Sequence, residues 1–167
     1  MSRDQSGPAA VGDRIGGKFL TFFLAGEEYG LEILKVHEII GLLPITRVPR
    51  TPGFIRGVIN LRGKVIPIVD LRAKFGMAQQ SDAKESCIIV VQVQGVQIGV
   101  VVDRVSEVAN VSDADIEPLP SFGDGIPTDF LLGLGKANGR VRLLLDIDRV
   151  LSTSEVIQVD AVLGAAT

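Results

Sequence analysis

The sequence predicts a mainly β fold built from two related small modules, each a closed barrel. Three observations predict it. The first is an internal repeat. Residues 19–39 (FLTFFLAGEEYGLEILKVHEI) align on 88–108 (IIVVQVQGVQIGVVVDRVSEV) at an offset of 69, and 54–71 align on 130–147 at an offset of 76. A period this long is the size of a domain, so the repeat marks two related modules and not a solenoid. The second is composition. Val and Ile supply 37 of the 167 residues, against one Tyr and no Trp, and β-branched side chains suit a pleated surface. The third is punctuation, which cuts each half into five short apolar runs. Closing five strands into a barrel removes the unpaired edges an open sheet would expose.

The elements follow in order. Residues 1–17, rich in Gly, Ser and charge, read as a flexible tail. Strands are predicted at 18–24, 29–34 and 36–42, the first two joined through Ala25-Gly26-Glu27-Glu28. Pro44, Pro49 and Pro52 mark an irregular connection. Strands at 54–60 and 64–69 turn at Arg62-Gly63, and Pro67 places the second at an edge or a bulge. Asp70 caps a short helical turn ending at Gly76. The second half repeats the plan at 86–93, 96–102, 104–110, 130–135 and 140–145, with Asp146 as the matching cap. An acidic, Pro-containing connection fills 111–129. The modules are expected to divide near residues 84 and 85, with exchange of terminal segments allowed, and 153–167 to form a weakly ordered tail.

Composition removes several function classes. A formal net charge of −3 does not suit a general polyanion binder. One cysteine, Cys87, excludes an internal disulfide and a cysteine-rich zinc site. It opens an apolar strand, where a buried inert thiol is the expectation. Residues 86–102 carry no charge, but Gln92, Gln94 and Gln97 interrupt them and Gln94-Gly95 signals a hairpin, so no transmembrane helix is predicted. The N-terminus has no apolar run that would export the chain, and the expected location is cytoplasmic. His37, the only histidine, has no motif that would supply a nucleophile or an orienting partner. Residues 57–65 imitate a phosphate loop, with one residue too many and Val65 where a hydroxyl belongs. Gly133-Leu-Gly135 lacks the third glycine of a dinucleotide turn. Asp103, Asp113 and Asp115 lack calcium-loop spacing. No enzymatic activity and no cofactor are expected.

The repeat sorts what remains. Residues that recur maintain the fold, and those that differ are free to carry function. Arg47, Arg50, Arg56, Arg62 and Lys64 give an acidic chain one basic region. Three readings compete for it: a solvated edge that discourages aggregation, a nucleic-acid surface, and an arginine-anchored protein interface. Single-strand readers need exposed aromatic rings, and the region offers only Phe54, which recurs as Phe130. Arg56 aligns with Leu132 and Arg62 with Asn138, so the module does not require either charge. Gly57 and Gly63 recur, which suits close packing and a tight turn. Val36 and Glu38 recur as Val105 and Glu107, and on a strand they share one face.

The segments EEYGLEILKVHEI (27–39), TPGFIRGVINLRGKVIPIVDLR (51–72), IGVVVDRVSEV (98–108) and FLLGLGK (130–136) resemble the CheW family of bacterial chemotaxis adaptors, over about residues 17–152. NLRGKVIPIVDLR is the most specific of these. The resemblance implies two SH3-like five-stranded β-barrel subdomains with short helices. It implies a non-enzymatic scaffold that couples transmembrane chemoreceptors to a histidine autokinase. The partners would be the kinase's regulatory domain and the cytoplasmic tips of methyl-accepting receptors, with ring or array assembly and a place at membrane receptor clusters. It implies no nucleic acid and no direct membrane insertion. It sets Val36, Glu38, Arg56, Gly57 and Arg62 at or near partner-binding surfaces, and Val108 toward an apolar receptor groove. Two alternatives remain at this point: a similar scaffold serving a non-chemotactic kinase pathway, and a small-barrel nucleic-acid binder with strongly salt-dependent affinity.

Overall fold

A computed structural model describes residues 17–78, 84–118, 130–137 and 139–166. Strands run at β1 (Gly17–Leu24), β2 (Glu27–Glu32), β3 (Val36–Gly41), β4 (Ile55–Leu61), β5 (Lys64–Val69), β6 (Cys87–Val93), β7 (Val96–Val102), β8 (Arg104–Val111), β9 (Ile116–Glu117), β10 (Leu131–Ala137) and β11 (Arg140–Leu145). The helices are α1 (Leu71–Lys74), α2 (Ile147–Val150) and α3 (Thr153–Ala166). The expected N-terminal tail up to residue 16, and residues 119–129 of the expected acidic connection, lie outside the described residues.

The strands form two sheets, in the orders β3-β6-β7-β5-β4 and β8-β1-β2-β11-β10-β9. The first is one continuous stretch of chain, from β3 to β7. The second is split and uses strands from both sides of that stretch. The boundary expected near residue 84 is therefore not where the barrels part. The opening hairpin of each repeat, β1–β2 or β6–β7, has crossed to the other module. It pairs there antiparallel on one side (β1 with β8, β6 with β3) and parallel on the other (β2 with β11, β7 with β5). Sequence similarity locates repeats, but it does not say which hairpin pairs with which strands.

The exchange gives the β6–β7 hairpin, which is apolar on both faces, a cover for each. On β6, Ile88 and Val90 fill the continuous barrel with Ile59, Ile66 and Ile68. Ile89, Val91 and Val93 point the other way, into a larger cluster with Leu20, Phe22 and Leu24 of β1. That shared cluster lies between the barrels, and α2 and α3 add Val150 and Val159 to it. The uncharged run 86–102 is thus a hairpin buried on both sides.

Each barrel closes where the chain after β3 or β8 returns to β4 or β10. Thr46 and Val58 exchange backbone hydrogen bonds of 2.9 and 2.8 Å, and Glu117 pairs with Leu134 in the split barrel. Val58 directs both of its backbone groups at Thr46, so it faces Pro67 as a non-hydrogen-bonded pair and proline costs no ladder bond there. β4 and β10 carry matching bulges, at Arg56 and Leu132. Asp70 and Asp146 cap α1 and α2 as predicted, accepting from the amides of Ala73 and Asp148.

Both crossovers between barrels are latched, with reversed polarity. Asp103 follows β7, receives Arg72 of α1 at 2.7 Å and accepts from the Ala25 amide at 2.9 Å. Lys35 precedes β3 and donates to Asp148 of α2 at 2.7 Å, while the Gln94 amide lies 3.4 Å from the same carboxylate. Each hairpin tip is thereby held by an aspartate belonging to an ion pair.

The C-terminal residues differ from the expected loose tail. Ser152 and Glu155 form a reciprocal capping box, with Glu155 N–H to Ser152 Oγ at 3.2 Å and Ser152 N–H to Glu155 Oε1 at 2.7 Å. It satisfies amides that would otherwise be orphaned at the start of α3. Glu155 also pairs with Lys74 at 2.5 Å, and Val159 is fully buried.

The split barrel holds a charge in its interior. Arg142, 1% exposed, donates to Glu28 and to Glu107, each at 3.0 Å, and Arg140 reaches Glu28 at 2.5 Å. Burial pushes the Glu28 carboxyl up, but the hydrogen bonds and charges of Arg140 and Arg142 outweigh it and hold the group below its ordinary 4.5. The ionised cluster therefore stabilises the fold above that pH, and the contribution is lost as pH falls through the lower folded value. Arg142→Ala, which leaves Glu28 short of a partner, is expected to cost about 3 kcal/mol in urea unfolding at neutral pH. Glu28→Gln is expected to flatten the loss of stability of the wild type below pH 4.5.

Candidate functional site

β3 leads directly from the inter-barrel crossover, and β4 and β5 meet in the two-residue turn Arg62-Gly63. Both turn residues have positive φ, 53° and 86°, which the right-handed twist of a tight hairpin requires. Glycine tolerates this and arginine does so at a cost, whereas Asn-Gly is the favoured pair. The repeat aligns Arg62-Gly63 on Asn138-Gly139, of which Asn138 lies outside the described residues. Arg62 thus stands where turn geometry prefers asparagine.

Arg62 and Glu38 form an ion pair from the β4–β5 turn to β3. It bridges the two terminal strands of the continuous barrel's sheet. Arg62 keeps 69% of its side chain exposed, and Glu38 is half-buried. The Arg62 hydrogen bond holds the Glu38 carboxyl below its ordinary range, and the charges of Arg62 and His37 act in the same direction. In the split barrel Glu107 keeps its position but pairs with the interior Arg142, whose counterpart is Ile66. The same carboxylate serves a surface cation in one module and a core cation in the other.

The remaining predicted residues divide between scaffold and surface. Val36 is half-buried and packs on the inter-barrel core, as does Val105. A bulge at His37 separates Val36 from Glu38 in the pairing with β6, yet burial still alternates along the strand, so both lie on its less exposed face. Arg56, at the bulge of β4, is half-buried and engaged. Gly57 has φ of 144°, and a Cβ there would lie 2.2 Å from the Thr46 carbonyl oxygen at the barrel closure. Gly133 meets Glu117 in the same way. Val108 is 51% exposed on β8.

Ile39 and Leu34 are exposed apolar residues that the sequence motifs do not single out. Ile39 is 44% exposed beside Glu38, and it aligns with Val108, so each module presents an apolar side chain next to the recurring glutamate. That alignment was the available signal. Leu34, 94% exposed, sits where the other crossover has its latching Asp103, and the neighbouring Lys35 makes the latching ion pair there.

Phe54 and Phe130 both pack against the inter-barrel core, and Phe130 stacks on Phe75 at 4.6 Å between centroids. The basic region therefore lacks an exposed ring for a base. Burial pushes the half-buried Cys87 thiol up, so it stays protonated. Among the described residues no group of His, Cys, Asp and Glu could hold a metal ion, and no helix is long and apolar enough to cross a membrane.

Gly57→Ala is expected to destabilise the fold by roughly 3 kcal/mol, because the new methyl meets backbone and not a flexible side chain. Thermal unfolding measures this loss with no partner present.

Comparison with known proteins agrees with this arrangement. Residues 18–155 match the CheW-like domain. The chain is 43% identical to chemotaxis protein CheW of Klebsiella aerogenes, over 91% of this chain and 92% of that protein. It is 39% identical to chemotaxis protein CheW of Rhizobium meliloti, over 84% and 91%. The crystal structure of the scaffolding protein TtCheW from Thermoanaerobacter tengcongensis superposes with a TM-score of 0.76 at 38% identity, covering 84% of this chain and 96% of that one. With two exchanged SH3-like barrels and these relatives along nearly its whole length, the chain belongs to the CheW family.

Proposed function

We propose that the chain is a non-enzymatic chemotaxis adaptor that couples the cytoplasmic tips of transmembrane receptors to the regulatory domain of a histidine autokinase. The relatives are named as chemotaxis proteins and one as a scaffold. The observation that carries the reading onto this chain's own residues is Arg62. It is exposed, held in a backbone conformation that favours asparagine or glycine, and paired across a barrel closure. Arginine kept where turn geometry opposes it points to use at a surface. With Glu38, Arg62 would anchor the kinase regulatory domain. Val108, and by the repeat Ile39, would supply apolar contact to a helical receptor tip. Gly57 and Val36 would act by holding the closure and the inter-barrel seam that these surfaces depend on.

The mechanism is coupling by proximity. A standard interface buries about 800 Å² per partner, so two fit on a domain of this size. Holding receptor and kinase on one rigid pair of barrels raises their effective concentration and relays a receptor shift without chemistry in the adaptor. Contacts at both quasi-equivalent ends would extend the assembly into rings or arrays at the membrane.

Arg62→Asn separates this reading from a structural role. It restores the favoured Asn-Gly turn and removes a surface ion pair worth about 0–1 kcal/mol, so the melting temperature is expected to hold or rise slightly. Calorimetric affinity for the kinase regulatory domain is expected to fall about tenfold or more, as for loss of an interface arginine. Unchanged affinity in a folded variant would remove Arg62 from the interface.

A further inference from the structure

The connection between β3 and β4 builds a groove against α3. Val48, Pro49 and Pro52 form one wall of an open groove of 600 Å³, and Gln158 and Ala161 of α3 form the other. Arg50 lines it from the tip of the connection. Its φ is 62°, a second arginine in the left-handed region where glycine or asparagine is the unstrained choice. The turn is fixed locally, since Pro49 presets the preceding backbone and Thr51 Oγ1 donates to the Val48 carbonyl at 3.1 Å. Arg47 and Arg50 are both exposed, and among the described residues neither forms an ion pair. The quasi-equivalent connection of the other module, residues 111–129, carries Asp113, Asp115, Glu117, Asp124 and Asp129 and no cation. The basic character here is therefore not required by the module fold.

We infer that the groove between the Val48–Pro52 connection and α3 docks an extended acidic segment of a protein partner, with a carboxylate of that segment on Arg50. The proline-lined wall is rigid, and flat pyrrolidine faces suit an extended backbone. Gln158 offers an amide to that backbone, and Ala161 leaves room for it. The Arg50 guanidinium, which has no ion pair among the described residues, selects carboxylate in an acidic protein and binds it in fork geometry. This surface is distinct from the Glu38–Arg62 pair and stands whether or not that pair contacts a kinase.

The test uses the full chain and a fluorescein-labelled peptide of alternating Glu and Pro, with the Lys-Pro peptide as control. Anisotropy is expected to report saturable binding of the acidic peptide alone, with amide resonance shifts at 48–52 and 158–161. Arg50→Gly relieves the backbone and is expected to weaken binding about fivefold or more, the loss of a charge-assisted contact. Ala161→Phe, at an exposed helix position, fills the groove and is expected to weaken it as much. Absence of saturable binding up to millimolar peptide would overturn the assignment, as would equal binding of the Lys-Pro peptide. Wild-type affinity in either variant would overturn it too, since retention in Ala161→Phe alone would mean charge attraction without a groove.

Discussion

The structure depends on one apolar seam that both modules share. β1–β2 and β6–β7 are each buried on two faces, one turned into a barrel and one into the seam. The β6–β7 hairpin is apolar on both faces, and the seam covers the face that its barrel does not, at about 25 cal/mol for each Å² of apolar surface. Exchange places it where both faces are covered. The price is two crossovers between barrels, and each is latched by an aspartate that also holds the neighbouring hairpin tip. The barrels are thereby fixed as one body, which an adaptor needs if it is to transmit a displacement and not absorb it.

Quasi-symmetry separates maintenance from use. Gly57 and Gly133 let the closing strand approach each barrel, Asp70 and Asp146 cap the helices, and Val36 and Val105 pack on the seam. These positions recur because the module needs them. Divergence is informative where one half abandons the better structural residue. Arg62 stands against Asn138 at a turn that prefers asparagine. Leu34 stands exposed against the latching Asp103. Arg142 stands in a barrel interior against Ile66, so divergence also reaches the core, where the Glu28 and Glu107 carboxylates compensate for it.

Much of this was legible in the chain. The strands fell within a few residues of their predicted bounds, because alternation and the Ala-Gly, Arg-Gly and Gln-Gly turns are local signals. The Glu38–Arg62 pairing was not, although both residues had been singled out, since contact across a barrel closure is not written in spacing. The exchange of hairpins was legible only as an option, because repeats record ancestry and not pairing. Buried Arg142 escaped notice because a charge on a strand reads as surface. α3 escaped although Ser152-Thr-Ser-Glu155 is a capping-box signature, because its short sequence resembled a frayed terminus.

In the proposed function one pair of barrels holds a receptor and a kinase together. Reconstitution checks this. A receptor cytoplasmic fragment is immobilised on vesicles, the kinase is added with and without the chain, and sedimented kinase and its autophosphorylation rate are measured. Kinase is expected to sediment with the receptor and change rate only when the chain is present, and Val108→Glu and Arg62→Asn are each expected to break the link at a different partner. Equal sedimentation and equal rate without the chain would contradict it.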